Sequence, residues 1–180
     1  QRGWDLRQHY GYAEPEANAR ALALDLGRGV SSAWFQLDAA SRRGRDHDDT
    51  SSLALAGQGG AMVACLEDLR AMLAPVDLAT VPVSIDAGGC ALPVAALHLA
   101  VAGLRGLEPG VLQGSLGMDP LSALAADGEL PGSLGAALDQ LSDLAAWCSA
   151  DAPGVRAAHV STVPHHRAGA SAGQELGIAM

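Results

Sequence analysis

The sequence predicts an α/β fold, a partial (β/α)8 barrel of the TIM type with about four parallel βα units. Four short apolar runs are typical of buried strands, a helical pattern follows each run, and the last pattern continues to Met180 without a cap or a breaker. Because a closed barrel needs about 250 residues and the chain has 180, we expect a truncated barrel with a partial site. The predicted strands cover residues 30–37, 81–86, 112–116 and 156–163.

The helices are predicted from their start and stop signals. Pro15 lies between two glutamates, which favours a helix N-terminus, and Gly27 ends the first helix. Ser133 is a typical N-cap for a later helix. We expect the polar residues 1–13 to form an extended arm and residues 14–180 to form the barrel domain. The predicted helices cover residues 17–26, 62–73, 91–104, 121–126, 133–148 and 171–180.

Composition excludes several classes of function. The formal net charge is −9, so the chain lacks the basic surface that nucleic-acid binding requires. All 11 basic residues are arginine, which rules out a Walker-A lysine and a Schiff-base lysine in these residues. Hydrophobic residues make up 49% of the chain and aromatic residues 3%, so the core is predicted to consist of leucine, valine and alanine.

The cysteines and histidines do not indicate a metal site. Cys65, Cys90 and Cys148 are widely spaced and each has apolar neighbours, so we interpret them as buried free thiols in a reducing compartment. The sequence contains no CxxC pair and no pair of histidines at helical spacing, so no metal is expected. We find no signal peptide and no apolar run of about 18 residues or more, and therefore expect a cytoplasmic protein that does not contact membranes.

Two loops after predicted strands are candidates for anion binding, because barrel sites lie on such loops. Arg43 and Arg45 follow the first strand, with three aspartates and His47 nearby, and are candidate substrate-binding residues for phosphate groups. The alternative is a solvated loop whose charges compensate one another. The Asp-Ala-Gly-Gly turn at 86–89 would let backbone N–H groups approach an anion, although tight βα turns need glycine anyway.

Two further loops carry candidate contacts for a substrate. Ser115 and Asp119 follow the third strand and offer a hydroxyl and a carboxylate, and Asp119 also suits an N-cap for the helix behind Pro120. His165 and His166 follow the fourth strand and are the candidate catalytic residues, as an acid or a hydrogen-bond donor. On an extended segment adjacent side chains point in opposite directions, so we expect at most one histidine to face the barrel mouth. A structural histidine in the turn is the alternative.

Several motifs occur in a fixed order along nearly the whole chain. They include Arg-Gly-Arg-Asp-His-Asp at 43–48, Gly-Cys-Ala-Leu-Pro at 89–93 and His-Arg-Ala-Gly-Ala at 166–170, the last leading to Glu175 and Leu176. The others lie at residues 3–8, Asn18, 30–37, 83–97 and 114–119. No single motif is diagnostic, but the colinear order resembles the coenzyme-A-binding barrel of the methylmalonyl-CoA mutases.

The resemblance implies a fold and an activity. Family members are isomerases that interconvert methylmalonyl-CoA and succinyl-CoA with adenosylcobalamin as the cofactor. Their barrel encloses the acyl-CoA, with the pantetheine chain along the barrel axis, and a separate domain brings cobalamin to the barrel mouth. The cofactor carries the radical chemistry, while the protein orients the substrate and excludes solvent.

Departures from the catalytic pattern favour a supporting role. His165 stands where catalytic members have the tyrosine of a Tyr-His pair, and residues 115–119 read Ser-Leu-Gly-Met-Asp instead of Thr-x-Gln-Asn-Asp. The cobalamin motif Asp-x-His-x-x-Gly does not occur in these 180 residues. These features resemble the small, non-catalytic subunit of heterodimeric bacterial mutases. The expected partner is a catalytic large subunit or the rest of the same chain.

Two alternatives stay open. The chain is part of a divergent acyl-CoA mutase for another acyl group, in which Ser115, His165 and His166 line the mouth and Arg43 or Arg45 binds the coenzyme-A phosphates. Or it binds a coenzyme-A thioester without catalysis. The motif at 43–48 and the Arg-Gln pair at 7–8 are closer to catalytic chains.

Overall fold

A five-stranded parallel sheet forms the centre of the computed structural model, which describes residues 4–180. Each strand pairs with its neighbour in sequence, so the spatial order is β1-β2-β3-β4-β5. Successive βα units produce this order. Within the described residues β1 and β5 are the two edges, so the sheet is not closed. An open parallel sheet of successive βα units confirms the predicted partial βα barrel. The strands are β1 Arg7–Tyr10, β2 Ser32–Gln36, β3 Val83–Asp86, β4 Gly114–Met118 and β5 Val155–Ala158.

Helices occupy most of the sequence between the strands. The predicted signals identify several of their ends: Pro15 begins the first helix, and the side chain of Ser133 caps the sixth by accepting a bond from the Ala136 N–H. The helices are α1 Pro15–Leu26, α2 Ala39–Arg42, α3 Leu66–Met72, α4 Ala91–Leu104, α5 Pro120–Asp127, α6 Leu134–Asp151, α7 Val163–Arg167 and α8 Ala172–Ala179.

Strand β1 lies in the segment that was predicted to be an arm. Arg7 pairs with Ser32 and Tyr10 pairs with Phe35, so the segment is extended but belongs to the sheet. Three of its four residues are exposed, and it therefore lacks the apolar run that identified the other strands. Residues 1–3 of the predicted arm lie outside the described residues. The division into an arm and a barrel domain stays a prediction.

The core lies between the helices and one face of the sheet. Ala33, Phe35 and Leu37 alternate along β2 and its end and are fully buried, as expected for side chains that share one face of a strand. Val83 and Ile85 continue this layer on β3. The core consists mainly of leucine, valine and alanine, as the low aromatic content predicts.

The three cysteines differ in exposure. Cys90 and Cys148 are buried, and burial raises the pKa of both thiols. The prediction that Cys65 is buried is wrong, because this residue is the N-cap of α3 and lies at the surface. All three are free thiols.

Helix α4 contains a buried histidine. His98 is 4% exposed, and its Nδ1 has no hydrogen-bond partner among the described residues. Burial, and then the charge of Arg105, lower the pKa of His98 to about 4. Arg105 is fixed in place because it donates to the carbonyls of Val76 and Leu73, at 2.7 and 2.9 Å. His98 is therefore neutral at physiological pH.

We predict that His98 makes the fold less stable in mild acid. Between pH 6.5 and about 4, unfolded His98 binds a proton that folded His98 does not bind. The free energy of unfolding therefore falls as the pH falls, by roughly 3 kcal/mol in all. Urea denaturation of the full-length protein at pH 7 and pH 4.5 measures this loss.

The substitution His98→Leu isolates the contribution of this residue. The loss of stability between the two pH values should be smaller in His98→Leu by most of that amount, whereas His159→Gln, at an exposed position, should leave the loss unchanged. An equal loss in the unmodified protein and in His98→Leu would contradict the prediction.

Candidate functional site

The inner face of the sheet, which a closed barrel would enclose, carries a row of polar side chains. The strand register places one residue from each strand at the same level. The His9 and Trp34 rings lie 4.6 Å apart, and His9 Nε2 lies 3.1 Å from Gln36 Oε1. This face is therefore built for polar contacts. The row is His9, Trp34, Ser84, Ser115 and Arg156.

Ser84 and Ser115 are neighbours in the middle of this row. The Ser84 hydroxyl is buried and has no hydrogen-bond partner among the described residues. The Ser115 hydroxyl accepts a bond from the Gly117 N–H at 3.1 Å. A buried hydroxyl without a partner is costly, which makes Ser84 a candidate contact for a ligand on this face. Ser84 lies inside the predicted strand at 81–86 and not on a loop, so its position gave no signal of a binding role.

The prediction that Ser115 lies on the loop after its strand is wrong. Ser115 is the second residue of β4, level with Ser84, and lies towards the amino end of the sheet. Pairing begins at Gly114, where φ is +131° and the chain packs directly against the Val83 backbone. Only glycine adopts this conformation easily. Because pairing begins at Gly114, the strand covers Gly114–Met118, two residues later than its apolar pattern predicts. A substrate contact by Ser115 stays a prediction.

Asp119 joins two loops at the carboxyl edge of the sheet. Its side chain caps α5 by accepting a bond from the Ser122 N–H at 3.0 Å, which confirms the predicted cap. The second carboxylate oxygen accepts from the Ser161 N–H at 2.7 Å, and the Ser122 hydroxyl donates to the Ser161 carbonyl at 2.7 Å. Asp119 therefore fixes the chain that follows β5. Its role in substrate binding stays a prediction.

The two candidate catalytic histidines lie on a helix. The predicted extended segment at 156–163 is too long, because β5 ends at Ala158 and α7 begins at Val163. Pro164 lies in the first turn of α7, where its missing N–H costs nothing. The expectation that the two histidine side chains point in opposite directions assumed an extended segment. It does not apply to His165 and His166, because both lie in α7.

His165 and His166 have different surroundings. His166 Nδ1 lies 2.7 Å from Glu175 Oε1, and this hydrogen bond, followed by one from Thr162, lowers the pKa of Glu175. The contact ties α7 to α8. His165 lines an open cavity of about 460 Å³, whose other residues are Ala168, Gly169, Ala170, Gln174, Gly177 and Ile178. A catalytic role for either histidine stays a prediction.

The arginines after β2 are paired with a distant loop. Arg42 lies 2.8 Å from Asp127, and Arg43 contacts Asp127 at 3.5 Å and Glu129 at 3.4 Å. Arg45 makes two bonds to Glu129, at 2.9 and 2.8 Å. The charges of this loop are thus compensated, but by residues more than 80 positions away rather than by its own aspartates. Phosphate binding by Arg43 and Arg45 stays a prediction.

A buried aspartate that was not predicted as a site residue lies two residues after β2. Asp38 is fully buried and lies 3.1 Å from His47 Nε2. Its carboxylate also accepts from the N–H groups of Ser41, at 2.8 Å, and Gly57, at 2.6 Å. The spacing of Asp38 and Ser41 is that of an N-cap, which was the available signal. Both Asp38 oxygens and the Ser41 hydroxyl lie 3.1–3.2 Å from the same ring nitrogen, Nε2 of His47. A catalytic triad uses both ring nitrogens, so this arrangement is a structural clamp.

Neither a metal-binding cluster nor a membrane-spanning helix occurs among the described residues. Across residues 4–180, no group of three or more histidine, cysteine, aspartate or glutamate side chains is arranged to hold a metal ion. None of the helices in this part of the chain has the length and apolar character needed to cross a bilayer.

Comparison with known proteins finds methylmalonyl-CoA mutases and their subunits. The sequence model of the family described as methylmalonyl-CoA mutase matches residues 1–180. The methylmalonyl-CoA mutase small subunit of Streptomyces virginiae is 37% identical over 99% of this chain and 25% of its own length. The large subunit of the same organism is 25% identical over 96% of this chain and 24% of its own length. The methylmalonyl-CoA mutase of Escherichia coli K12 is 24% identical over 98% of this chain and 25% of its own length. The chain thus spans about a quarter of the relatives it matches.

We predict that Asp119 is important for stability. Asp119→Ala removes a helix cap and a bond to the Ser161 N–H, and should lower the free energy of unfolding by about 2 kcal/mol. Ser133→Ala is the matched control, because it removes only an exposed cap and should cost about 1 kcal/mol or less. Chemical denaturation of the full-length protein measures both. A loss in Asp119→Ala no larger than in the control would contradict the prediction.

We also predict that Asp38 is more important than its partner His47. Asp38→Ala leaves the N–H groups of Ser41 and Gly57 without an acceptor, and should cost about 3 kcal/mol of unfolding free energy. His47→Gln keeps those bonds and should cost about 1 kcal/mol. Thermal and urea denaturation distinguish the two variants. Equal losses would show that the histidine contact, not the backbone clamp, accounts for the stabilisation.

Proposed function

The chain belongs to the methylmalonyl-CoA mutase family, and we propose that it is the barrel portion of a supporting, small-subunit-type chain. The observation that carries this proposal is the higher identity to the Streptomyces virginiae small subunit, 37%, than to the large subunit of the same organism, 25%. In this role the chain stabilises a catalytic large subunit and does not itself turn over substrate.

The geometry of the loop residues supports a structural role. Asp119 and Asp38 are engaged with backbone N–H groups, and Arg43 and Arg45 are engaged with carboxylates. These side chains hold loops together at the carboxyl edge of the sheet, where a catalytic member would need free groups to bind its substrate. The proposed substrate contacts are therefore already occupied by partners within the chain.

We propose that the assembled enzyme interconverts methylmalonyl-CoA and succinyl-CoA with adenosylcobalamin. We infer that the lower cobalt ligand comes from outside these 180 residues, because the Asp-x-His-x-x-Gly motif does not occur in them. In this proposal the chain contributes a folded scaffold to the assembled enzyme. Its three free thiols are typical of a protein in the reducing cytoplasm.

A second candidate function is binding of a coenzyme-A thioester without catalysis. The unpartnered Ser84 hydroxyl beside Ser115 favours it, because a polar chain along the inner face would supply the missing hydrogen bond. On this alternative Ser84→Ala weakens binding of the thioester to the full-length protein. On the supporting-subunit proposal Ser84→Ala changes no ligand affinity.

We predict that the purified full-length protein alone produces no succinyl-CoA from methylmalonyl-CoA when adenosylcobalamin is added. Co-expression with a large mutase subunit should give a stable complex on size-exclusion chromatography, and this complex should be active. The reconstituted pair is the positive control for the assay. Robust turnover by the full-length protein alone would refute the supporting role, and so would failure to associate with any large subunit.

A further inference from the structure

Helix α4 is apolar on both of its faces. It is the only one of the eight α-helices in residues 4–180 without a charged residue, and its one polar side chain, His98, is buried. One face packs on the core through Val94, Ala95 and Val101. Every residue of the opposite face is apolar as well. This opposite face, here called the α4 surface, is centred on Pro93, Ala96, Leu97, Ala100, Gly103 and Leu104.

The neighbouring outer helices have the usual polar side towards water. Helix α1 carries exposed Glu16 and Arg20, and α6 carries exposed Asp139 and Asp143. A helix that is apolar all round is normally buried, but Leu104 on the α4 surface is 65% exposed. A continuous apolar surface of this kind is typical of a contact with another protein surface.

A groove between α3 and α4 extends the α4 surface on one side. Its volume is about 500 Å³, and its apolar part consists of Ala71, Ala74, Val101 and Leu104. The helix surface beside it is shallow. A Cβ atom on Gly103 would meet no neighbouring atom of the described residues within 4 Å. Small residues let two helix axes approach closely, because the distance between the axes depends on the side chains at the contact.

Charged groups of both signs line the groove and are here called the rim. Glu67 and Arg70 are exposed and lie 3.7 Å apart. Arg105 is held in place by its bonds to the carbonyls of Val76 and Leu73. An apolar centre with a polar rim is the usual anatomy of a protein–protein interface.

A second copy of this chain fits the α4 surface by charge. The net charge is −9, so two copies repel each other over most of their surfaces. The α4 surface carries no charge and meets its own copy without like-charge repulsion. About a twofold axis each copy presents the same patch, so Glu67 of one rim can pair with Arg70 or Arg105 of the other. A partner with a charged contact face would instead bury its charges against apolar side chains, which is costly.

We propose that the α4 surface is an interface between two copies of this chain, with α4 packed against α4 about a twofold axis that passes near Ala100. The two rims then pair across the axis. Helix α4 packs on the outer side of the sheet, so the dimer leaves the carboxyl edge and the inner face free. This inference does not depend on the supporting role proposed above, because it concerns the outer helix layer alone.

The test is sedimentation equilibrium of the full-length protein, without a large subunit, between about 1 and 100 μM. The unmodified protein should form a dimer. Ala100→Glu brings two carboxylates together at the axis and should weaken the dimer at least about tenfold. Ala146→Glu is the matched control, because it adds the same charge at an exposed position of α6 and should leave the dimer unchanged. A monomeric unmodified protein, or equal weakening in both variants, would overturn the proposal.

The variant Ala100→Lys distinguishes a second copy from any other occupant. Alone it should be as weak a dimer as Ala100→Glu, whereas an equimolar mixture of the two variants should associate, because opposite charges then meet at the axis. A mixture that stays monomeric would overturn the proposal. An unmodified protein that is monomeric alone and loses its large subunit on Ala100→Glu would also overturn it, and would assign the α4 surface to that subunit.

If the Ala100 variants do not fold, hydrogen exchange of the unmodified protein decides. The amides of α4 should exchange faster at the low end of the concentration range, where the dimer dissociates, and the amides of α6 should exchange equally fast at both ends. Exchange in α4 that does not change with concentration would overturn the proposal.

Discussion

The parallel pairing of sequence-adjacent strands is the constraint on which the rest of this structure depends. It places the carboxyl ends of all five strands at one edge of the sheet, so that loops distant in sequence meet there. Polar groups at this edge must find partners, because burying them unpaired costs free energy. The carboxylates of Asp38 and Asp119 find hydrogen-bond donors within the chain, and each of the three arginines after β2 makes an ion pair with a carboxylate.

The two sides of the sheet have different chemistry as a result. Towards the helices, β2 and β3 present Phe35, Ile85 and other fully buried apolar residues. Towards the inside of the incomplete barrel, the same strands present Trp34 and Ser84. The packed outer layer and the internally bonded carboxyl edge are the observations on which the proposed supporting role rests. The polar inner face is the part that keeps the possibility of binding a ligand.

Sequence reasoning succeeded where the determining forces were local. Apolar runs identified four strands, and caps at Asp119 and Ser133 were recognisable because cap and helix are neighbours in sequence. Strand β1 was missed because its pairing with β2, not its own polar pattern, makes it a strand. The start of β4 was misplaced because packing of Gly114 against Val83 sets the register, and this contact has no local signal. The carboxylate partners of the arginines were invisible for the same reason, since more than 80 residues separate them.

The central claim is that the side chains at the carboxyl edge are used for internal contacts and do not hold a coenzyme-A thioester. Calorimetric titration of the full-length protein, without a large subunit, with methylmalonyl-CoA tests it most directly. The account predicts no saturable binding up to about 1 mM, which corresponds to a binding free energy weaker than about −4 kcal/mol. Saturable binding at micromolar concentration, lost on Arg43→Gln or Ser84→Ala, would contradict it.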